Sequence, residues 1–318
     1  MKVVFGTRHL GDEFVDELRS LHPEVTFATA YTPQEASHEV VDADAFMGAP
    51  SREAFLAARQ LKWVHVPGMG MDTVSRVPEM VDSEVVFTNA PGPHTNVMAD
   101  HVLGVMLSLA HRLGEMRDDQ KAKRWEQDKY GHSFVELNGG VLGLLGLGGL
   151  GRAITQRALG FGMQVYAVDP TPTDVPAGVR AVWGLDRLDE LCTRSDWLVI
   201  TAPLTDESRG LIDERRISLM KRGAYLVVIS RGGIVDEDAL AAALQSRQLA
   251  GAGVDSTAVE PLPIDSPLWE LDNLILSPHS SGLSPWLYES RRQVLKANLQ
   301  RFLEGRPLAY VCDLRRGY

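Results

Sequence analysis

Four side chains in the C-terminal third combine types and spacings that suit anion and proton chemistry. Arg231 follows an apolar run and precedes two glycines in "AYLVVISRGGIVDEDAL". Asp255 ends a second run in "GAGVDSTAVEPLP", with Glu260 further along the same loop beside Pro261. His279 ends a third in "LILSPHSSG", with only small residues behind it. The planar fork of an arginine binds a carboxylate and polarises a carbonyl, and a histidine gives or takes a proton near neutrality. Glu260 on the imidazole would favour its charged form and fix the ring's orientation. The set fits a substrate with adjacent carboxylate and carbonyl groups, a 2-keto acid, whose reduction needs a cation, an acid and a hydride donor.

A second constellation supplies the donor. In "VLGLLGLGGLGRAITQRALGFG", Gly146, Gly148 and Gly151 take the G-x-G-x-x-G spacing between an apolar strand and a helix. The first glycine permits a tight turn, the second lets backbone approach a pyrophosphate, and the third lets helix pack on strand. The phosphates would meet the unpaired amides and positive dipole end of that helix. Asp169 ends the next strand, "QVYAVDP", where a carboxylate accepts from both ribose hydroxyls and repels a 2′-phosphate. No arginine follows within "DPTPTDVP", so NAD is favoured over NADP.

Ligands of an open parallel sheet bind beyond the carboxyl ends of its strands, so these groups must come from such ends. The expected strands are "VLGLLGL", "QVYAVD", "VRAVWGL", "WLVITAP", "AYLVVIS", "GAGVDS" and "NLILSPH", near-continuous apolar runs that indicate a parallel sheet covered on both faces. The N-terminal hundred residues alternate β-branched runs with amphipathic stretches, from "KVVF" to "VVFTNAPG", as a smaller doubly wound unit. From about Ala99, "ADHVLGVMLSLAHRLGEM" predicts a long helix buried between domains or subunits. The polar "RDDQKAKRWEQDKYGHSF" then predicts an extended, exposed arm with Trp125 as an anchor. The last helix, "PWLYESRRQVLKANLQRFLEG", stops at Gly305 and is expected to return to the first unit. The fold class is α/β with two doubly wound parallel-sheet domains. Residues 1–98 with 285–318 form a flavodoxin-like substrate-binding domain, and residues 99–284 form the Rossmann dinucleotide-binding domain.

A chain of 318 residues with 44% hydrophobic and 23% charged residues has ample material for two cores. Its formal net charge of −10 argues against a broad nucleic-acid surface. No apolar run reaches membrane-helix length and the N-terminus meets charge early, so the expectation is a cytoplasmic protein with no membrane partner. Cys192 and Cys312 stand far apart without zinc-type companions, so no metal is expected and both read as buried thiols.

The motifs "GLLGLGGLG", "TAPLTDESRGLI", "SRGGIVDEDAL", "GVDSTAVEPLP", "SPLWELDNLILSPHSSG" and "NLQRFLEGRPL", in that order, make the chain resemble the D-isomer-specific 2-hydroxyacid dehydrogenase family. Weaker likeness in "VPGMGMD" and "FTNAPGPHTNVMADH" extends the match over most of the sequence. The resemblance implies that Arg231, Glu260 and His279 are catalytic. It puts Leu150, Gly151 and Asp169 on pyrophosphate and ribose, Asp255 on the nicotinamide end, and Ala202, Ile229, Ser230, Ser280, Ser281 and Gly282 on other cofactor contacts. Backbone amides of the loop Gly68-Met69-Gly70-Met71 would bind the substrate carboxylate, as a nest of N–H groups suits an anion. Met69 and Met71 would narrow the pocket, and Trp286 would line it.

Thr201, Val228 and Asp100 depart from the residues usual in the family, none of them in the trio. Glu260 argues against the formate-oxidising branch, which carries glutamine there. The resulting expectation is an NAD-dependent enzyme interconverting a 2-keto acid and its D-2-hydroxy acid, working as a homodimer through the 99–116 helix and the arm. The alternative is an NAD(H)-sensing binding protein that acts through partner association.

Overall fold

Five short apolar runs of the N-terminal stretch become parallel strands: β1 (Lys2–Phe5), β2 (Thr26–Thr29), β3 (Ala45–Met47), β4 (Trp63–Val66) and β5 (Val86–Asn89). They lie in the order β2-β1-β3-β4-β5. Parallel neighbours cannot be joined by tight turns, and helices make the crossovers: α1 (Asp12–Leu21), α2 (Pro33–Glu39), α3 (Arg52–Ala57), α4 (Asp72–Ser75) and α5 (Pro78–Val81). Thr32 and Glu35 close a reciprocal capping box at the start of α2, and the Ser51 hydroxyl caps α3. In this computed structural model, which describes residues 1–91, 94–170 and 175–317, the first compact unit is Met1–His94 with Ser284–Tyr318 and the second is Thr95–Leu283.

The second unit begins with α6 (Thr95–Ala110), α7 (Leu113–Lys121) and α8 (Gln127–Tyr130). Its seven parallel strands are β6 (Val141–Leu145), β7 (Gln164–Val168), β8 (Val179–Trp183), β9 (Trp197–Ile200), β10 (Ala224–Val228), β11 (Leu249–Val254) and β12 (Leu274–Leu276). They run in the order β12-β11-β10-β9-β6-β7-β8. Between them lie α9 (Gly149–Gly160), α10 (Leu188–Arg194), α11 (Glu214–Leu219) and α12 (Glu237–Gln245). Alternate strand residues serve two cores: Leu144, Val199 and Val227 face one side, while Leu145, Ile200 and Val228 face the other. Burial on both faces is why these strands read as unbroken apolar runs. The final helix, α13 (Leu287–Leu303), buries Leu295 and Leu299 with Phe5, Phe14 and Trp63 in the first unit.

The expected helix over 99–116 is in fact two. It breaks at Arg112, whose backbone is left-handed with φ 51°, and α7 resumes at Leu113. The stretch expected as an extended arm is half helical, because α7 continues to Lys121 and α8 follows. A buried carboxylate folds it: Asp119 accepts from Arg124, Lys129 and the Tyr130 hydroxyl, at 2.9, 2.8 and 2.6 Å respectively. Trp125 anchors nothing within the unit, being 96% exposed. Nor is α6 spare surface, since Val102, Val105 and Met106 lie in the second unit's own core. Cys192 is buried as expected and Cys312 only half-buried, both as free thiols.

One buried polar group gives the first unit a pH dependence. The imidazole of His65 on β4 is fully buried, its Nδ1 2.9 Å from the Thr88 hydroxyl, and burial pushes its pKa down from 6.5 to about 4. Below pH 6.5 the unfolded chain takes up a proton that the folded chain refuses until about pH 4. The stability contribution is therefore complete above pH 6.5 and is lost as pH falls toward 4. His65→Gln should flatten this dependence: between pH 7 and pH 4.5 the wild type should lose about 2 kcal/mol more than the variant in urea unfolding. A wild-type-minus-variant difference that stays constant with pH would contradict the assignment.

Candidate active site

Three adjacent strands deliver the four residues to one edge of the second sheet. β10, β11 and β12 are parallel neighbours whose last residues Val228, Val254 and Leu276 stand in register. Arg231 follows β10, Asp255 and Glu260 follow β11, and His279 follows β12. The two glycines after Arg231 differ in role: a Cβ on Gly232 would fall 2.0 Å from the carbonyl carbon of Thr257, and Gly233 takes φ 79°. The arginine turn and the Asp255–Glu260 loop are thus pressed backbone to backbone. Asp236 caps α12 by accepting from Ala239 N–H at 3.0 Å, which ends the arginine turn.

His279 Nδ1 lies 2.8 Å from Glu260 Oε2, and Glu260 Oε1 accepts from the Thr257 amide at 3.1 Å. The carboxylate is thereby held from behind while it holds the ring. With Nδ1–H donating to Glu260, Nε2 is the nitrogen available to a ligand, and both side chains are part-exposed at 45% and 39%. The Arg231 guanidinium is half-buried, with Nη1 donating to the Ser230 carbonyl at 2.8 Å.

Asp255 does more than the sequence suggested. Its buried carboxylate accepts from the Ser277 hydroxyl at 2.5 Å, the Ser280 amide at 3.0 Å and the Ser281 amide at 3.2 Å. His279 sits between these partners with φ 48°, a left-handed conformation rare outside glycine, and its amide donates to the Asp255 carbonyl at 2.8 Å. Asp255 therefore shapes the turn that presents the imidazole, whatever else it touches.

The glycine loop fits a dinucleotide. Gly146 has φ 100°, and a Cβ there would lie 2.8 Å from the Ala202 nitrogen. A Cβ on Gly151 would meet the Gly146 carbonyl oxygen at 2.4 Å, so these two glycines are demanded by the fold. Gly148, the residue before α9, has nothing within 4 Å of a Cβ, leaving open the space where backbone would approach phosphate. Leu150 is buried in the core behind the loop. Asp169 directly follows β7 and accepts from the Leu147 amide at 2.8 Å, tying the carboxylate to the glycine loop. Ile229 is buried, and the Ser230 and Ser281 hydroxyls are buried without a partner among the described residues. Residues 171–174, part of the stretch read as lacking a 2′-phosphate arginine, and Gly92 and Pro93 lie outside the described residues.

Met69, Gly70, Met71 and Trp286 belong to the first unit. Among the described residues the amides of Met69, Gly70 and Met71 donate no hydrogen bond, while the Gly68 and Met69 carbonyls accept from Ala90 N–H and the Asn89 side chain. The expectation that the Met71 side chain narrows a pocket is corrected: it is 1% exposed and packed in the first unit's core, because Met71 opens α4 with its side chain turned inward. Only its amide remains for a ligand. Met69 is 36% exposed and Trp286 76%.

Sequence reasoning missed two residues of this network. Ser277 reads in sequence only as the residue before Pro278, and His101, whose Nε2 lies 3.1 Å from the Ser277 hydroxyl, only as one polar position in an apolar helix. Of the departures noted above, Thr201 donates to the Gly146 carbonyl at 2.8 Å, Val228 is core, and Asp100 pairs with Arg157 at 2.7 Å.

The sequence model described as "D-isomer specific 2-hydroxyacid dehydrogenase, NAD binding domain" matches residues 103–281. The chain is 30% identical over 316 residues to glycerate dehydrogenase of Methylorubrum extorquens, covering 96% of this chain and 97% of that one. It is 30% identical over 286 residues to D-3-phosphoglycerate dehydrogenase of Methanocaldococcus jannaschii, covering 89% of this chain but 54% of the relative, so it spans about half of that protein. Among solved structures, a D-isomer-specific 2-hydroxyacid dehydrogenase from Xanthobacter autotrophicus, in complex with NADPH and MES, superposes with a TM-score of 0.84 at 29% identity, covering 100% of this chain and 99% of that one. A family protein from Aeromonas salmonicida gives the same TM-score and identity over 98% and 99%.

Gly148→Ala tests the cradle. The added methyl meets no protein atom, so the melting temperature should stay within about 2 °C while the Kd for NADH rises about tenfold or more. Unchanged NADH affinity would remove the loop from the cofactor site.

Proposed function

Because the chain belongs to the D-isomer-specific 2-hydroxyacid dehydrogenase family, we propose that it reduces a small 2-keto acid to its D-2-hydroxy acid, and runs the reverse, with NAD(H). The single observation that carries this reading is the His279–Glu260 contact at 2.8 Å, on a loop pressed against the Arg231 turn. When bound, the nicotinamide supplies the hydride that the carbonyl carbon receives. Everything else falls to side chains. Arg231 binds the substrate carboxylate and draws electron density toward the carbonyl oxygen. His279 Nε2 gives its proton to that oxygen, and in oxidation takes it from the hydroxyl. Glu260 keeps Nδ1–H committed, so the ring presents one nitrogen only, and it stabilises the imidazolium before the transfer.

We assign the amides of Met69, Gly70 and Met71 to an anionic group of the substrate, on the strength of their uncommitted N–H groups. Gly146, Gly148, Leu150, Gly151, Asp169, Ala202, Ile229, Ser230, Asp255, Ser280, Ser281 and Gly282 are assigned to the cofactor. Asp169 supports NAD over NADP, its carboxylate standing at the end of β7 beside the glycine loop. The NADPH bound by the Xanthobacter relative makes this preference a point to measure. Among the described residues no helix is long and apolar enough to cross a membrane. The proposed setting is the cytoplasm and the proposed assembly a homodimer through the end of the 99–116 stretch and the arm, that is, α7, α8 and the segments beside them. Exposed Leu113, Trp125 and Phe134 support the dimer, and a monomer by light scattering would overturn it.

His279→Ala should lower kcat about 1,000-fold or more while the NADH Kd moves less than about threefold. Near-normal turnover across glyoxylate, hydroxypyruvate, pyruvate and bulkier keto acids would refute the catalytic assignment. Asp169→Ala should shift the NADH-to-NADPH ratio of kcat/KM toward NADPH by about tenfold or more. An unchanged ratio would take Asp169 out of the ribose site.

A further inference from the structure

One face of α6 runs along one face of β11, residue against residue. Leu109, Val105 and His101 recur every four residues and so share a helix face. Gly251, Gly253 and Asp255 recur every second residue along β11 and into its end, and so share a sheet face. A Cβ on Gly251 would meet Leu109 at 3.1 Å, and one on Gly253 would meet Val105 at 2.3 Å. The two glycines let the helix lie close against the strand. One turn further on, the same helix face carries His101, with Nε2 3.1 Å from the Ser277 hydroxyl, which is 2.5 Å from Asp255 Oδ1.

The acceptors at Asp255 set the proton direction at Ser277. Asp255 already accepts from two backbone amides and acts as an acceptor toward Ser277. The single hydroxyl proton of Ser277 therefore goes to Asp255, which leaves the Ser277 oxygen to accept a hydrogen bond from a His101 that carries its proton on Nε2. From Asp255 the chain continues to the amides of Ser280 and Ser281, which close the left-handed turn at His279.

We propose that His101 is a positioning residue for the acid/base histidine: as an Nε2–H donor it orients Ser277, and through Ser277 it holds Asp255 and the His279 turn. The proposal rests on His279 being the acid/base group, but its first test does not. Long-range ¹⁵N–¹H NMR of the wild-type protein should show His101 with its proton on Nε2, and Ser277→Ala should lose that fixed tautomer. A wild-type proton on Nδ1 alone overturns the proposal.

The kinetic test reads the consequence. His101→Leu should lower kcat about 10- to 100-fold with melting temperature little changed, a larger loss than any rise in NADH Kd, because the imidazole is misplaced by a fraction of an ångström while the glycine loop and Asp169 are untouched. His101→Gln, which keeps an N–H at similar reach, should recover to within about threefold of wild type. Ser277→Ala should match His101→Leu, and the double variant should be no worse than either alone. Additive losses, or full activity in His101→Leu, sink the proposal. If His101→Leu does not fold, Ser277→Ala and the tautomer decide. Should His279→Ala itself turn over normally, the active-site reading fails instead, and the tautomer still reports on His101.

Discussion

The imidazole of His279 is carried on a backbone conformation that costs an L-residue about 1–2 kcal/mol, and the site exists only because something holds it there. That something is the buried carboxylate of Asp255. It collects the Ser277 hydroxyl from before the turn and the Ser280 and Ser281 amides from behind it, while its own carbonyl takes the His279 amide. Charge-assisted hydrogen bonds of this kind are roughly twice as strong as neutral ones. Breaking the set would leave a buried charge unpaired, a larger penalty than the strain it sustains. The left-handed turn sends the side chain back toward Glu260, which a residue continuing the extended path of β12 would not do.

The same constraint explains the small residues around the site. Gly232 lets the arginine turn touch the Thr257 backbone, and Gly251 and Gly253 let α6 settle on β11. Each removes a side chain where two backbones, or a helix and a strand, must come closer than a Cβ permits. Gly148 differs in kind, because no protein atom crowds it. Of the loop glycines, Gly146 and Gly151 serve the fold and Gly148 leaves room for a ligand.

Much of this was legible because parallel strands covered on both faces announce themselves as apolar runs, and the polar residue ending each run then marks the functional edge. Arg231, Asp255 and His279 are found that way, as is the Asp169 that follows β7, and Glu260 lies further along the loop that Asp255 opens. What stayed hidden depends on tertiary contact. The donors to Asp255 come from residues after a different strand, which spacing along one chain does not reveal. His101 is one polar position in an apolar helix, with no local sign that it faces a strand end. The helical fold of 113–130 depends on Asp119 drawing in Arg124, Lys129 and Tyr130, whereas composition alone reads as solvated polypeptide. Met71 misled because a methionine beside a glycine-rich loop carries no mark of whether its side chain turns inward.

Two glutamates act on the loop after β11, Glu260 from within it and Glu237 from the start of α12, and the structure gives them separate work. Glu260 faces His279, its second oxygen secured by the Thr257 amide. Glu237, at the start of α12, accepts the Ala258 amide at 2.5 Å. Burial pushes the Glu237 carboxyl above its ordinary range, opposed by the Ala258 hydrogen bond and assisted by the negative charges of Asp238, Glu260 and Asp236. Anchored on Ala258, Glu237 braces the backbone of the loop that carries Glu260, and Glu260 in turn holds Nδ1 of the imidazole and leaves Nε2 to face a ligand.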